Sequence, residues 1–372
     1  MMVLAYGIPI ALFMCGIMKP KSKAISFLFV AYFFILMGLN TSTPDYESYR
    51  VSYEYYGALN YSLEIGFGLI ITVCKAIGLT YQQFRMVFAI LYSVLSIVAV
   101  NRLTTYRNYV LALFLFMPFV LNVSGIRFAL ASIIVCCGIP CLMPRCKRGL
   151  VKYVLLVLVG MTIHRAVVVY LIFCLARKKY KLQQYLFVMA VVFGGMVIMR
   201  TNILINLIQI FVSDASLYIK WLDASSGDIG RLNLVGFVSN VFFVVVFPLW
   251  ISYLARILCG GTQGSVVEDL YSIEDEKTQR IQLYKNISIN GLMMIPGYLI
   301  SSEYQRYLFG VLIVYYAVFA EFRYEVKRMR RGNKILHDAI SILLPLLLLG
   351  LYMYSMTSHD VMATFKDNML FK

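Results

Sequence analysis

Residues 63–78 read L-E-I-G-F-G-L-I-I-T-V-C-K-A-I-G, apolar enough for a membrane span, and whether they cross decides the side of every later loop. If they cross, Arg145-Cys146-Lys147-Arg148, Arg177-Lys178-Lys179 and Lys327-Arg328-Met329-Arg330-Arg331 lie opposite Lys19, Lys21 and Lys23. If they do not, all these clusters share one side with Arg102 and Arg107. That arrangement puts 23 of the 34 Lys and Arg in loops on one face. Positive charge in short loops marks the cytoplasmic side. Residues 63–78 are therefore expected to form an interfacial or re-entrant helix on the outer face.

Working outward, the chain is 61% hydrophobic and 14% charged, with mean hydropathy +0.78. Soluble domains carry about 25% charge. Long apolar runs without strand alternation predict an all-α polytopic membrane protein rather than a β-barrel. The expected spans are 2–18, 24–40, 82–100, 109–123, 126–142, 150–163, 166–176, 184–199, 234–255, 286–301, 306–321 and 337–355. Twelve transmembrane helices place both termini outside, in one integral domain over 1–372. Met2–Met18 has no basic residue before it and three lysines after it, the reverse of a cleavable signal. The net charge of +16 sits in short clusters between apolar runs, as topogenic charge does, and predicts no nucleic-acid partner. The eight cysteines lack metal-ligand spacing and read as packing residues.

Between the spans, 41–80 is expected to be an outer loop with the interfacial helix, 200–233 a second outer loop, and 256–285 a mixed-charge cytoplasmic loop. No internal repeat is evident. On this topology Asp45, Arg127, His164, Arg165, Arg231, Glu303 and Arg306 all fall at outer ends. A charge kept at the end of an apolar segment is costly without a partner or a task. Arg offers planar donor forks suited to phosphate. His164, Asp45 or Glu303 could accept a proton from an attacking hydroxyl. Simpler roles stand beside these. Arg127, Arg231 and Arg306 could reach lipid headgroups, Asp45 could cap a loop helix, and Glu303 could pair with Arg306 at i, i+3. Glu64 reads as the polar edge of the interfacial helix, Arg165 as a topological neighbour. Tyr46 and Tyr49 suit either an interfacial aromatic belt or a glycan platform.

Several stretches resemble the EpsG-like and Wzy-type bacterial polysaccharide polymerases, which include O-antigen polymerases. These are P-D-Y-E-S-Y-R-V-S-Y at 44–53, L-E-I-G-F-G-L at 63–69, G-I-R-F-A-L-A at 125–131, I-H-R-A-V-V-V-Y at 163–170 and E-Y-Q-R-Y-L-F at 303–309. One departure is Phe128, where such proteins often carry Gln after the Arg. The resemblance implies a GT-C-like bundle in the bacterial inner membrane, with a periplasmic-side cavity. It implies a glycosyltransferase that polymerises undecaprenyl-diphosphate-linked oligosaccharide repeat units on the periplasmic face, in O-antigen (lipopolysaccharide) biosynthesis. No cofactor, nucleotide sugar or metal is implied; a Wzz-type chain-length regulator is. Carried over, Arg127, Arg231 and Arg306 become diphosphate ligands, and His164 the base or orienting residue. Asp45 and Glu303 are further acid or base candidates, and Tyr46 and Tyr49 glycan-binding ones. An O-antigen ligase would carry one large periplasmic domain; a flippase or transporter would place polar residues mid-span along a pathway.

Overall fold

Thr80 opens a long apolar helix with a reciprocal cap. Gln83 N donates to Thr80 Oγ1 at 3.4 Å, and Thr80 N donates to Gln83 Oε1 at 2.8 Å. The helix then runs from Tyr81 to Leu103. At 1.5 Å per residue it is about 34 Å long, enough for a hydrocarbon core of about 30 Å. In the computed structural model, residues 2–56, 64–177, 182–200, 234–259, 275–299, 305–326 and 331–355 are described, and none of them forms a β-strand. Among the described residues, 81–103 meets both length and hydropathy for crossing a bilayer alone, and shorter apolar helices include 23–38, 107–122, 126–142 and 149–163.

The described helices are α1 Met2–Met18, α2 Lys23–Gly38, α3 Tyr46–Glu54, α4 Ile65–Ala76, α5 Tyr81–Leu103, α6 Arg107–Phe114, α7 Val120–Asn122, α8 Ile126–Gly138 and α9 Gly149–Ile163. They continue with α10 Leu182–Arg200, α11 Leu234–Leu258, α12 Glu276–Gly291, α13 Gln305–Phe309, α14 Leu312–Glu325 and α15 Arg331–Ser355. Helical stretches thus coincide with each of the expected apolar runs. Two compact units are formed, Met1–Leu171 with Gly310–Lys372, and Ile172–Phe309. In the second unit, α10 packs on the helical stretch Leu292–Leu299 and α11 on α12. Asn286 Nδ2 there donates to the Ala176 carbonyl at 2.9 Å. Residues 201–233 and 260–274 of the two expected loops lie outside the described residues, and 276–285, expected as loop, forms the first turns of α12 behind the Asp275 cap.

In the first unit, α2, α8 and α5 pack side by side, and α9 lies against α8. Phe29 and Phe33 on α2 and Phe84, Phe88 and Tyr92 on α5 are buried, and Phe33 stacks on Phe119 with ring centroids 4.1 Å apart. The apolar run 107–122 is interrupted at Met117, whose backbone is extended (φ −147°, ψ 119°) ahead of Pro118. The Met117 carbonyl is recovered by the Tyr316 hydroxyl at 2.9 Å. None of the eight cysteines is bridged.

Polar groups gather at both ends of α5. At the Leu103 end, Thr104 donates to the buried Glu321 at 2.9 Å and Tyr106 donates to Glu325. Arg323 pairs with Asp338 at 2.9 Å there, and Lys21 sits over the Tyr106 ring. Burial and the Glu325 carboxylate push the Tyr106 phenol well above its ordinary range. Between the two ends the outer surface is apolar. Ile10, Ile90, Leu155 and Leu347, each mid-helix, are at least half exposed. Soluble proteins rarely leave such faces to water, whereas lipid solvates them without cost.

Asn108 ties three elements at the Leu103 end. It is fully buried, donates to the Lys19 and Ser22 carbonyls at 2.6 and 2.9 Å, and accepts from Ser26 Oγ at 2.6 Å. Asn108→Ala should cost about 1–3 kcal/mol for each group stranded without a partner. The loss will be seen as a lowered unfolding midpoint in detergent; an unchanged midpoint would mean that water replaces the amide.

Candidate functional site

The run 63–78 builds the Tyr81 end of the first unit. It yields only twelve helical residues, about 18 Å of helix. Both ends of α4 lie beside α3. At its start Phe67 faces Tyr49, with ring centroids 6.2 Å apart. Near its finish Lys75 Nζ donates to the Glu54 and Tyr56 carbonyls at 3.2 and 3.3 Å. Tyr53 donates to the Leu79 carbonyl at 2.6 Å. Gly78 ends α4 in the left-handed region (φ +76°), with Leu79 N bonded back to the Cys74 carbonyl at 3.0 Å. One face of α4, Ile65, Leu69, Val73 and Ile77, is exposed and apolar.

Glu64, the residue before α4, is the centre of the site. Its Oε2 pairs with Arg127 Nη2, and its Oε1 accepts the Arg165 backbone N–H at 3.3 Å. Side-chain exposure is 12% for Glu64 and 17% for Arg127, so the pair is mostly withdrawn from solvent. The Arg127 guanidinium lies over the Phe67 ring, 4.7 Å from its centroid. Tyr49 and the exposed Arg165 are both close enough to act electrostatically on Arg127. Two cations therefore flank one carboxylate, leaving a net positive site. A guanidinium fork of this kind binds phosphate oxygens bidentately.

His164 ends α9. Its N–H bonds the Gly160 carbonyl at 2.9 Å, and its backbone is extended (φ −152°, ψ 112°). The Phe128 ring meets the imidazole edge-on, at 5.5 Å between centroids. The residue that departs from the family pattern thus sits next to Arg127 in sequence and against His164 in space. Gly66 makes the junction possible, because a Cβ there would lie 2.8 Å from the Thr162 carbonyl oxygen. Gly68 likewise leaves room for the Tyr56 ring.

Of the residues expected to act, Arg127, His164 and Tyr49 meet here. Asp45 does stand before α3, but its side chain makes no capping hydrogen bond; only its carbonyl does, to Tyr49 N at 3.0 Å. Tyr46 belongs to a neighbouring cluster: it donates to Gln82 at 3.1 Å, packs edge-on to Tyr81 and lies over Arg85. Burial raises the Tyr46 phenol, against the opposing pull of the Arg85 charge. Arg50 is held by Glu47 at 2.8 Å on the surface, a pair that contributes little. Arg306 lies on α13 in the second unit. Arg231 and Glu303 lie outside the described residues.

Three participants escape a reading by charge position alone. Glu64 reads as a helix edge and Arg165 as a neighbour of His164, yet each contacts the pair. Arg85 is the third. It is fully buried, with Nη2 donating to the Met37 and Val123 carbonyls at 3.0 and 3.4 Å. It joins the ends of α2 and α5 to the loop that leads into Arg127. An ionisable residue four positions into an expected span was the available signal.

An all-helical chain with an apolar exterior and a basic, aromatic-lined site at one end of its helices has the make-up of an integral membrane protein. The sequence matches the EpsG family over residues 23–369, and the chain belongs to that family, whose members are membrane proteins. Membership suggests a polysaccharide-polymerase-like role. No curated protein and no solved structure matches the chain.

The close approach at Gly66 separates two otherwise similar substitutions. Gly66→Ala should drive α4 away from Thr162 and lower the unfolding midpoint. Gly350→Ala, in a helix with nothing within 4 Å, should raise it slightly, by about 0.5–1 kcal/mol. Equal effects at both positions would mean that α4 does not depend on this contact.

Proposed function

We propose that the protein polymerises undecaprenyl-diphosphate-linked oligosaccharide repeat units into O-antigen or a related surface polysaccharide, as a glycosyltransferase acting on the periplasmic face of the bacterial inner membrane. The observation that carries the reading is the pairing of Arg127 with Glu64 beside Arg165 and His164, in a member of the EpsG family. On this proposal the chain is a multi-pass, GT-C-like bundle of twelve spans. α4 then lies on the outer face, its exposed apolar edge in the lipid.

The chemistry follows from the donor. The acceptor hydroxyl oxygen forms a bond to the anomeric carbon, and the bond from that carbon to the diphosphate oxygen breaks. The departing diphosphate gains negative charge, which Arg127 and Arg165 stabilise; Arg231 and Arg306 are the further diphosphate ligands of this reading. Electrostatic stabilisation of a leaving group is a large catalytic term. The acceptor proton passes to His164, which Phe128 orients; Asp45 and Glu303 rank below it. Tyr49 offers a ring for the sugar next to the diphosphate, and Tyr46, engaged with Gln82 and Tyr81, ranks lower. No nucleotide sugar or metal enters the step, and a Wzz-type partner would set chain length.

Purified protein given a lipid-linked repeat unit, without nucleotide sugar or added metal, should form a glycan ladder. Arg127→Ala should slow it by about 10²-fold or more, the scale expected for loss of one oxyanion-stabilising group, and Arg127→Lys should restore little because the fork is lost. Movement of the unit across vesicles with no new glycosidic bond would refute the proposal in favour of a flippase.

A further inference from the structure

Arg127, the residue best placed to hold a diphosphate, is already occupied by a carboxylate. Glu64 takes one of its donors and also accepts the Arg165 backbone N–H, while the Arg165 charge is close enough to act on Arg127. We propose that Glu64 is a resident anion of the phosphate site: it holds Arg127 in place while the site is empty and is displaced by the phosphate groups of the substrate. This proposal rests on the reading of Arg127 as a diphosphate ligand.

The geometry favours exchange over a fixed strut. Glu64 lies outside α4, with extended backbone (φ −62°, ψ 139°) and no side-chain cap on the helix. Rotation of its side chain therefore breaks no helical hydrogen bond. Phe67 stays beneath the guanidinium when the carboxylate leaves, because Phe67 is fully buried against Phe84 and Phe88. Arg127 thus keeps its platform in either state. Its Nε makes no hydrogen bond within the described structure, so a donor remains for a second anionic oxygen. Charge decides the direction of exchange. One carboxylate neutralises one of the two cations, whereas a diphosphate carries at least two negative charges and several acceptor oxygens. A ligand with a single charge gains little by replacing a tethered carboxylate, so the exchange selects diphosphates over monoanions. The same competition aids release, since Glu64 re-enters as the spent carrier leaves.

The test is equilibrium binding of inorganic diphosphate to the full-length protein in detergent micelles. Glu64→Gln keeps the shape and an acceptor oxygen but removes the charge, and it should bind diphosphate about tenfold more tightly, a change of ~1.4 kcal/mol. Glu64→Asp withdraws the carboxylate by one methylene and keeps the fold in reserve should Gln prove unstable; it should bind more tightly than wild type by a smaller factor. Unchanged or weaker binding in the folded variants, with Arg127→Ala still abolishing it, overturns the role of Glu64 and leaves the phosphate site standing. Diphosphate binding that survives Arg127→Ala overturns both. Tighter binding in Glu64→Gln together with loss in Arg127→Ala is the expected result.

Discussion

The carboxylate of Glu64 joins three chain segments at the Tyr81 end of the first unit, and the arrangement of the charged groups there follows from it. It stands just before α4, pairs with Arg127 at the start of α8, and accepts the N–H of Arg165 just past α9. Two supports make this possible. Gly66 lets α4 approach the Thr162 backbone, and Phe67 lies under the guanidinium. A guanidinium mostly withdrawn from water needs an anion or an aromatic face to offset its desolvation, and Arg127 has both.

The same hydropathy that identifies the class also locates the helices, because an apolar run in lipid must satisfy its own backbone and so becomes helical. That is why the described helices match the apolar runs from 2–18 to 337–355. The run 63–78 was the exception worth arguing, and charge, not hydropathy, separated it from the others. Two of its three glycines shape its packing. Gly66 and Gly68 each accept a close neighbour, Thr162 and Tyr56, which a longer, smoother apolar helix would exclude. The details inside the runs were less legible. Periodicity does not reveal the break at Met117, since its cause is the single backbone constraint ahead of Pro118.

Site residues were legible in proportion to how far their charge stood from other charge. Arg127 stands alone in apolar sequence and His164 has only Arg165 beside it, so each demanded a reason, and Phe128, next to Arg127, meets the His164 ring. Glu64 failed the same test because it borders a polar loop, where a carboxylate costs nothing. Its value comes from a partner 63 positions away, which no local pattern carries. Tyr46 erred in the opposite direction. An exposed-looking tyrosine in a polar loop suits a sugar platform, yet its hydroxyl and ring are engaged by Gln82, Tyr81 and Arg85.

The two polar ends of α5 differ in what their charges accomplish. At the Leu103 end, carboxylates and donors are matched: Thr104 with Glu321, Tyr106 with Glu325, Arg323 with Asp338. Matched groups of this kind hold helices in register. At the Tyr81 end the matching is incomplete. Glu64 pairs with the Arg127 guanidinium but meets Arg165 only at its backbone N–H, and Arg85 is buried on backbone carbonyls, with no salt bridge to it among the described residues. A mostly buried ion pair is seldom the most stable way to fill a space, since apolar packing of similar volume often does as well. On the proposed topology the Lys and Arg of the cytoplasmic loops at the other end face water and serve orientation, whereas a guanidinium withdrawn from solvent, as Arg127 and Arg85 are, is poorly explained by stability. A ligand that brings its own negative charge, as the proposed function supplies, would account for it.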